Sequence, residues 1–169
     1  MNNLPSVNKW SVRNILETIE NNILNEAFPE MEQPDGFGKS YNFPSDVSNL
    51  NFLQLGSLQL KLRGWLSWGI KQQAKKETEL NTAQTMYDIQ LWSRVAEYQI
   101  SAGGRKGLTK EMISAKIITE DEHLEKFTKT LAVMRGVVAR LEAQNKIYSE
   151  QIQTLSREQS RREAEVRLI

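Results

Sequence analysis

From Leu124 onward the chain repeats its apolar residues at spacings of three and four: Leu124, Phe127, Leu131, Met134, Val138, Leu141, then Asn145, Tyr148, Ile152 and Leu155. That run exceeds four heptads, and a heptad sustained so long predicts a helix that packs as a coiled coil. Gln159 and Arg162 continue the spacing with polar side chains, so the stripe is expected to end exposed or frayed. Asn145 stands on the seam. A buried Asn there fixes register or oligomer state at some cost in stability. The stripe has two candidate partners, an earlier helix of the same chain and copies of itself.

The earlier helix is legible too, over about residues 47–100. Leu55, Leu58, Leu62, Trp65 and Leu66 make a strong stripe. It thins through WGIKQQAKKETELNTAQT and returns with Leu80, Ala83, Tyr87, Leu91, Val95 and Tyr98. Ser45 or Asp46 is the expected N-terminal cap. Gly64 and Gly69 mark either a kink or a close approach of another helix. Between the two long helices lies SAGGRKGLTKEM, residues 101–112, whose three glycines predict a break. Thr109 then caps a short helix through Ile117, and Thr119 with Glu122 reads as a capping box for the last helix.

Ahead of these elements, Val12, Ile15, Leu16, Ile19, Ile23 and Leu24 share one face of an expected helix over 8–27. Residues 28–46 hold three prolines and two glycines, which forbid a regular element, yet also Phe28, Phe37, Tyr41 and Phe43. Four aromatics favour a strap packed on the body, with extended binding to a partner as the alternative. The expected architecture is all-α: an elongated helical hairpin or coiled-coil bundle over 47–169, preceded by an acidic arm over 1–46. Trp65, Trp68 and Trp92 add apolar surface needing cover, which points to a homo-oligomer with Leu131, Met134, Val138, Leu141, Asn145, Tyr148, Ile152 and Leu155 as its seam.

Composition narrows the function. The 169 residues are 39% hydrophobic and 25% charged, with no cysteine and a single histidine, His123. Thiol chemistry and Cys/His zinc sites are excluded, and nothing around His123 forms a nucleophile elbow. GWLSWGIK has the outline of a phosphate loop but lacks Gly-Lys-Ser/Thr and follows no strand. Glu120, Asp121, Glu122 and Glu125 suit a helix N-terminus better than a metal. No enzyme activity and no cofactor are expected. The N-terminus lacks a signal-peptide pattern and no apolar run approaches a membrane span, so a cytoplasmic location and no membrane partner are expected.

Charge adds a partner. Residues 1–50 carry three cations against seven anions, residues 51–119 ten against five, and residues 120–169 nine of each. A basic middle is a modest footprint for a polyanion. Single-strand binders combine cations with aromatics on which bases stack. Trp92, Arg94, Arg105, Lys106, Lys110 and Lys116 gather in sequence around the glycine-rich turn and are the candidate DNA contacts. Tyr98 fits the apolar stripe, and Trp92 lies one position off it.

The order KLRGWLSW, RVAEYQISAGGRKG, TKEMISAKI and EDEHLEKF resembles the UvsY recombination mediators of T-even-like phages. The matching positions are Arg94, Val95, Glu97 and Tyr98, then Gly104, Arg105 and Gly107, then Lys110, Glu111 and Met112, within about residues 55–160. The chain departs from that pattern at Trp92, where the family has a lysine, and by an extra residue between Val95 and Tyr98. The resemblance implies a homo-oligomer that binds single-stranded DNA and loads a RecA-type recombinase onto strands coated by single-strand-binding protein, hydrolysing nothing itself. Arg105 and Lys106 would then face phosphate at a hairpin tip. The rival expectation is a coiled-coil scaffold or virion assembly protein with no nucleic-acid role.

Overall fold

The computed structural model describes residues 32–39, 41–101 and 109–167. Among these the chain is all-helical, with no strand. A 3-10 turn at Val47–Asn49 leads into α1 (Phe52–Ser101), α2 (Lys110–Glu120) and α3 (Glu122–Arg167). The helix expected over 8–27, and Phe28 of the expected strap, lie outside the described residues.

The helix starts follow from local side-chain chemistry, and two differ from expectation. Asp46 caps the 3-10 turn, accepting from the Ser48 N–H at 2.9 Å. α1 begins later, after Asn51. Asn51 Oδ1 accepts from the Gln54 N–H at 2.8 Å, and Gln54 Oε1 accepts from the Asn51 N–H at 2.9 Å. That reciprocal pair is a capping box built from two amides. Thr109 caps α2 as expected, accepting from the Met112 N–H at 3.3 Å. However, α2 runs on past Ile117 to Glu120, and the Thr119 hydroxyl donates to the Ala115 carbonyl inside it. Asp121 is the cap of α3, accepting from the N–H groups of His123 at 2.9 Å and Leu124 at 3.3 Å. A carboxylate meets the positive end of the helix dipole better than a hydroxyl does.

The described chain divides into two units, residues 32–74 with 139–167, and Lys75–Val138. In the first, Leu55, Leu62 and Trp65 of α1 pack on Tyr148 and Leu155 of α3, with Phe37, Tyr41, Phe43, Val47 and Leu50 laid against them. The described residues 32–39 and 41–50 thus lie on the helices as a packed strap. Trp65 anchors it: its indole N–H donates to the Asp35 carbonyl at 2.9 Å, and its ring meets Tyr41 edge-on at 5.1 Å. Gly36, at φ +76°, turns the chain over this ring, where a Cβ would sit 3.2 Å from Trp65 Cζ2. No L side chain adopts that φ cheaply. Burial pushes the Tyr41 phenol up to about 12, with Tyr148 adding to the effect.

The far end of the strap is held by α3. Arg162 donates to the Leu50 carbonyl at 2.6 Å and the Ser48 carbonyl at 2.8 Å. Its Nε donates to Glu158 at 2.6 Å, and Glu158 also accepts from Arg161 at 2.8 Å. Hydrogen bonds from Arg161, then Arg162, hold the Glu158 carboxyl down at about 2. The expectation of a frayed stripe end is therefore corrected: Arg162 continues the seam because it satisfies carbonyls left open where the strap enters α1.

In the same unit, Gly69 is buried against α3. A Cβ there would overlap Asn145 Oδ1 and lie 3.1 Å from Asn145 Cγ. Asn145 Nδ2 donates to Gln73 Oε1 at 2.8 Å, and its Oδ1 has no hydrogen-bond partner among the described residues. Gly69 is a close approach, and α1 runs unbroken through it. Gln59 Nε2 donates to Ser156 Oγ at 2.6 Å, so numbers rise along one helix as they fall along the other.

The second unit adds α2. Ala83, Tyr87, Leu91 and Val95 of α1, Ile113 and Ile117 of α2, and Leu124 and Leu131 of α3 form its core. Tyr87 stacks at a tilt on Phe127, 5.7 Å away, and its hydroxyl accepts from Thr128 at 3.1 Å. Arg135 donates to Gln84 Oε1 at 2.5 Å.

Both the Gly69 approach and the Glu158 cluster can be tested by unfolding. Gly69→Ala costs about 1–3 kcal/mol through overpacking against Asn145, despite alanine's better helix propensity. Adding Asn145→Ala removes the clash, so the double-mutant cycle in urea shows coupling above about 0.5 kcal/mol. Additive effects would mean the helices simply part. Glu158, held at about 2 against an ordinary 4.5, contributes stability that is complete above pH 4.5 and fades as pH falls toward 2. Glu158→Gln flattens this limb of the urea midpoint against pH, and parallel curves would refute the assignment.

Candidate nucleic-acid interface

The last turns of α1, with α2 and the start of α3, carry the described candidate contacts. Arg94 and Trp92 are two positions apart on a helix, which places them about 200° apart around its axis. They therefore lie on different sides of α1.

Arg94 faces the α2–α3 junction. Its Nη1 pairs with Glu97 at 3.3 Å, and its Nε lies 3.9 Å from Asp121, the cap of α3. One turn on, Tyr98 is packed against the core, as expected. The Lys116 ammonium lies 5.2 Å from the Tyr98 ring centroid, donates to its hydroxyl at 3.3 Å, and sits 3.8 Å from Glu120. Arg94 and Lys116 are thus drawn to one corner, together with three carboxylates. These pairs are mostly exposed, and each is worth about 0–1 kcal/mol. Lys110 is elsewhere, exposed at the first position of α2. Beside it, its own N–H and the Thr109 hydroxyl hold the Glu111 carboxyl below the usual carboxylate range. Arg105 and Lys106 fall within 102–108, outside the described residues.

Trp92 is 50% exposed, and on its side of α1 Ile89 is 64% and Ile100 81% exposed, with Ala96 between them. Spacings of three and four put these residues on one stripe, offset from the buried one. The sequence signal for it was the position of Trp92 itself, one step off the core stripe.

The seam residues of α3 are placed as follows. Leu131 and Met134 pack in the core with α1 and α2. Tyr148, Ile152 and Leu155 pack with α1 and the strap. Asn145 bonds Gln73, and Val138 and Leu141 are half-buried. The seam meets α1 of the same chain.

Among the described residues, no group of three or more His, Cys, Asp or Glu is placed to hold a metal. No described helix is long and apolar enough to cross a membrane. His123 is exposed in the first turn of α3. An open groove of about 370 Å³ lies between Pro34–Gly36 and Leu60, Lys61, Gly64 and Trp65, with the Lys61 ammonium 4.8 Å from the Trp65 ring centroid. No family model, curated protein or solved structure significantly matches the chain.

Proposed function

We propose that the chain is a non-enzymatic protein that binds single-stranded DNA as a homo-oligomer and acts as a recombination mediator. In that role it loads a RecA-type recombinase onto strands coated by single-strand-binding protein. The observation that supports this most is Trp92, a large aromatic left half-exposed on the last turns of α1. An open aromatic face is what unpaired bases stack on. α1 leads directly into the segment with Arg105 and Lys106, and Lys110 opens the next helix, so phosphate-binding cations flank that face in sequence. Arg105 and Lys110 are among the positions that resemble the UvsY mediators, a resemblance that supplies the recombination role, whereas Trp92 is a departure from that pattern.

A second reading has its own support. Ile89, Ala96 and Ile100 beside Trp92 suit helix-to-helix packing, and Arg94 and Lys116 already have carboxylate partners. In that reading the face is an assembly surface of a scaffold protein, and DNA has no part.

Binding to a fluorescent oligothymidylate at low and moderate salt, with light scattering on the same sample, separates them. Under the DNA reading, affinity falls steeply with salt. Trp92→Ala weakens binding about 5- to 150-fold, from about 1–3 kcal/mol per stacked base, while Trp92→Phe keeps most of it. Arg105→Ala with Lys106→Ala weakens binding and flattens the salt slope. No binding at low salt, with Trp92→Ala lowering the mass, would establish the scaffold instead.

A further inference from the structure

Among the described residues, the ion pairs around Arg94 and Lys116 join two cations to three carboxylates. Glu97 holds Arg94 from the same helix at 3.3 Å, Asp121 approaches it at 3.9 Å, and Glu120 lies 3.8 Å from Lys116. Lys116 is further fixed over the Tyr98 ring. These five groups sum to one negative charge, so by themselves they offer an arriving phosphate no net attraction. A phosphate approaching Arg94 Nη1 competes with Glu97 for it.

We infer that Glu97, Glu120 and Asp121 hold Arg94 and Lys116 back from nucleic acid, making the two cations a masked reserve rather than part of the resting DNA site. This rests on the single-stranded-DNA reading above. The mask can be displaced: Glu97 and Glu120 are each 64% exposed, and exposed pairs open easily. Asp121 is fixed by its capping bonds, so the two glutamates are the members that can yield. Their release turns a basal binder into a tighter one without any change of fold.

The test is a four-protein cycle: the full chain, Glu97→Gln/Glu120→Gln, Arg94→Gln/Lys116→Gln, and all four together. The readout is affinity for fluorescent oligothymidylate across a salt series, with circular dichroism confirming helix content. Removing the glutamates is expected to tighten binding about fivefold. It should also steepen the salt slope by about 1.4, because two more phosphates of a single strand are then neutralised. Removing the cations from the natural chain should change affinity less than about twofold, yet abolish the gain in the glutamine background. Two results would overturn the inference: equal losses from the cation substitutions in both backgrounds, or a gain that survives without the cations, which is plain relief of repulsion. Absence of binding by all four proteins at low salt would instead sink the single-stranded-DNA reading itself.

Discussion

Two helices of 50 and 46 residues each carry an apolar stripe too narrow to fold on alone, and in each unit they cover it with one another. Helical stability in water comes mainly from such packing rather than from propensity, so the other features are arranged around it. Where Asn145 of α3 presses on α1, α1 must offer no side chain, and Gly69 stands there. Where α1 begins, the strap brings its own aromatics onto Trp65 and leaves backbone carbonyls that Arg162 reaches from α3. Where α1 ends, α2 contributes Ile113 and Ile117 to the same core that Tyr87 and Leu131 form.

Asn145 shows what specifying that pairing costs. It is buried, bonded on one side to Gln73, and leaves its other polar atom against Gly69. An apolar residue would fill the seam more stably but would also tolerate a slipped register. A polar contact satisfied only in one alignment selects that alignment. The same side chain that reads as an oligomer-specifying Asn meets Gly69 and Gln73 of α1 within one chain.

Much of this was legible because apolar periodicity is a property of one segment at a time. The stripes of α1 and α3 and the Thr109 cap all appear where their spacing puts them, while the glycines of the predicted break lie outside the described residues. What was not legible depends on residues far apart. Arg162 occupies a stripe position and looks like a stripe ending, because the carbonyls it serves lie 112 residues or more away. Asn51 and Gln54 form a capping box in residues that fit many other local roles. Thr119 and Asp121 both fit the start of α3, and only the backbone shows which side chain the free N–H groups meet. For the candidate interface, the sequence places six residues near one turn but says nothing of sides, and a helix turns Trp92 and Arg94 away from each other.

Charge counted along the sequence misleads for the same reason. Residues 51–119 carry ten cations against five anions, which reads as a basic surface. Folding brings Asp121 and Glu120, from the next window, onto Arg94 and Lys116. A phosphate responds to charges within about a Debye length, roughly 10 Å at 0.1 M salt, and not to windows of sequence. Among the described residues, Arg94 and Lys116 are therefore offset by carboxylates from the next window, although the segment that supplies these cations is basic. Whatever attraction the chain holds for a polyanion has to come from cations that the fold leaves without such company, or from these two once their carboxylates let go.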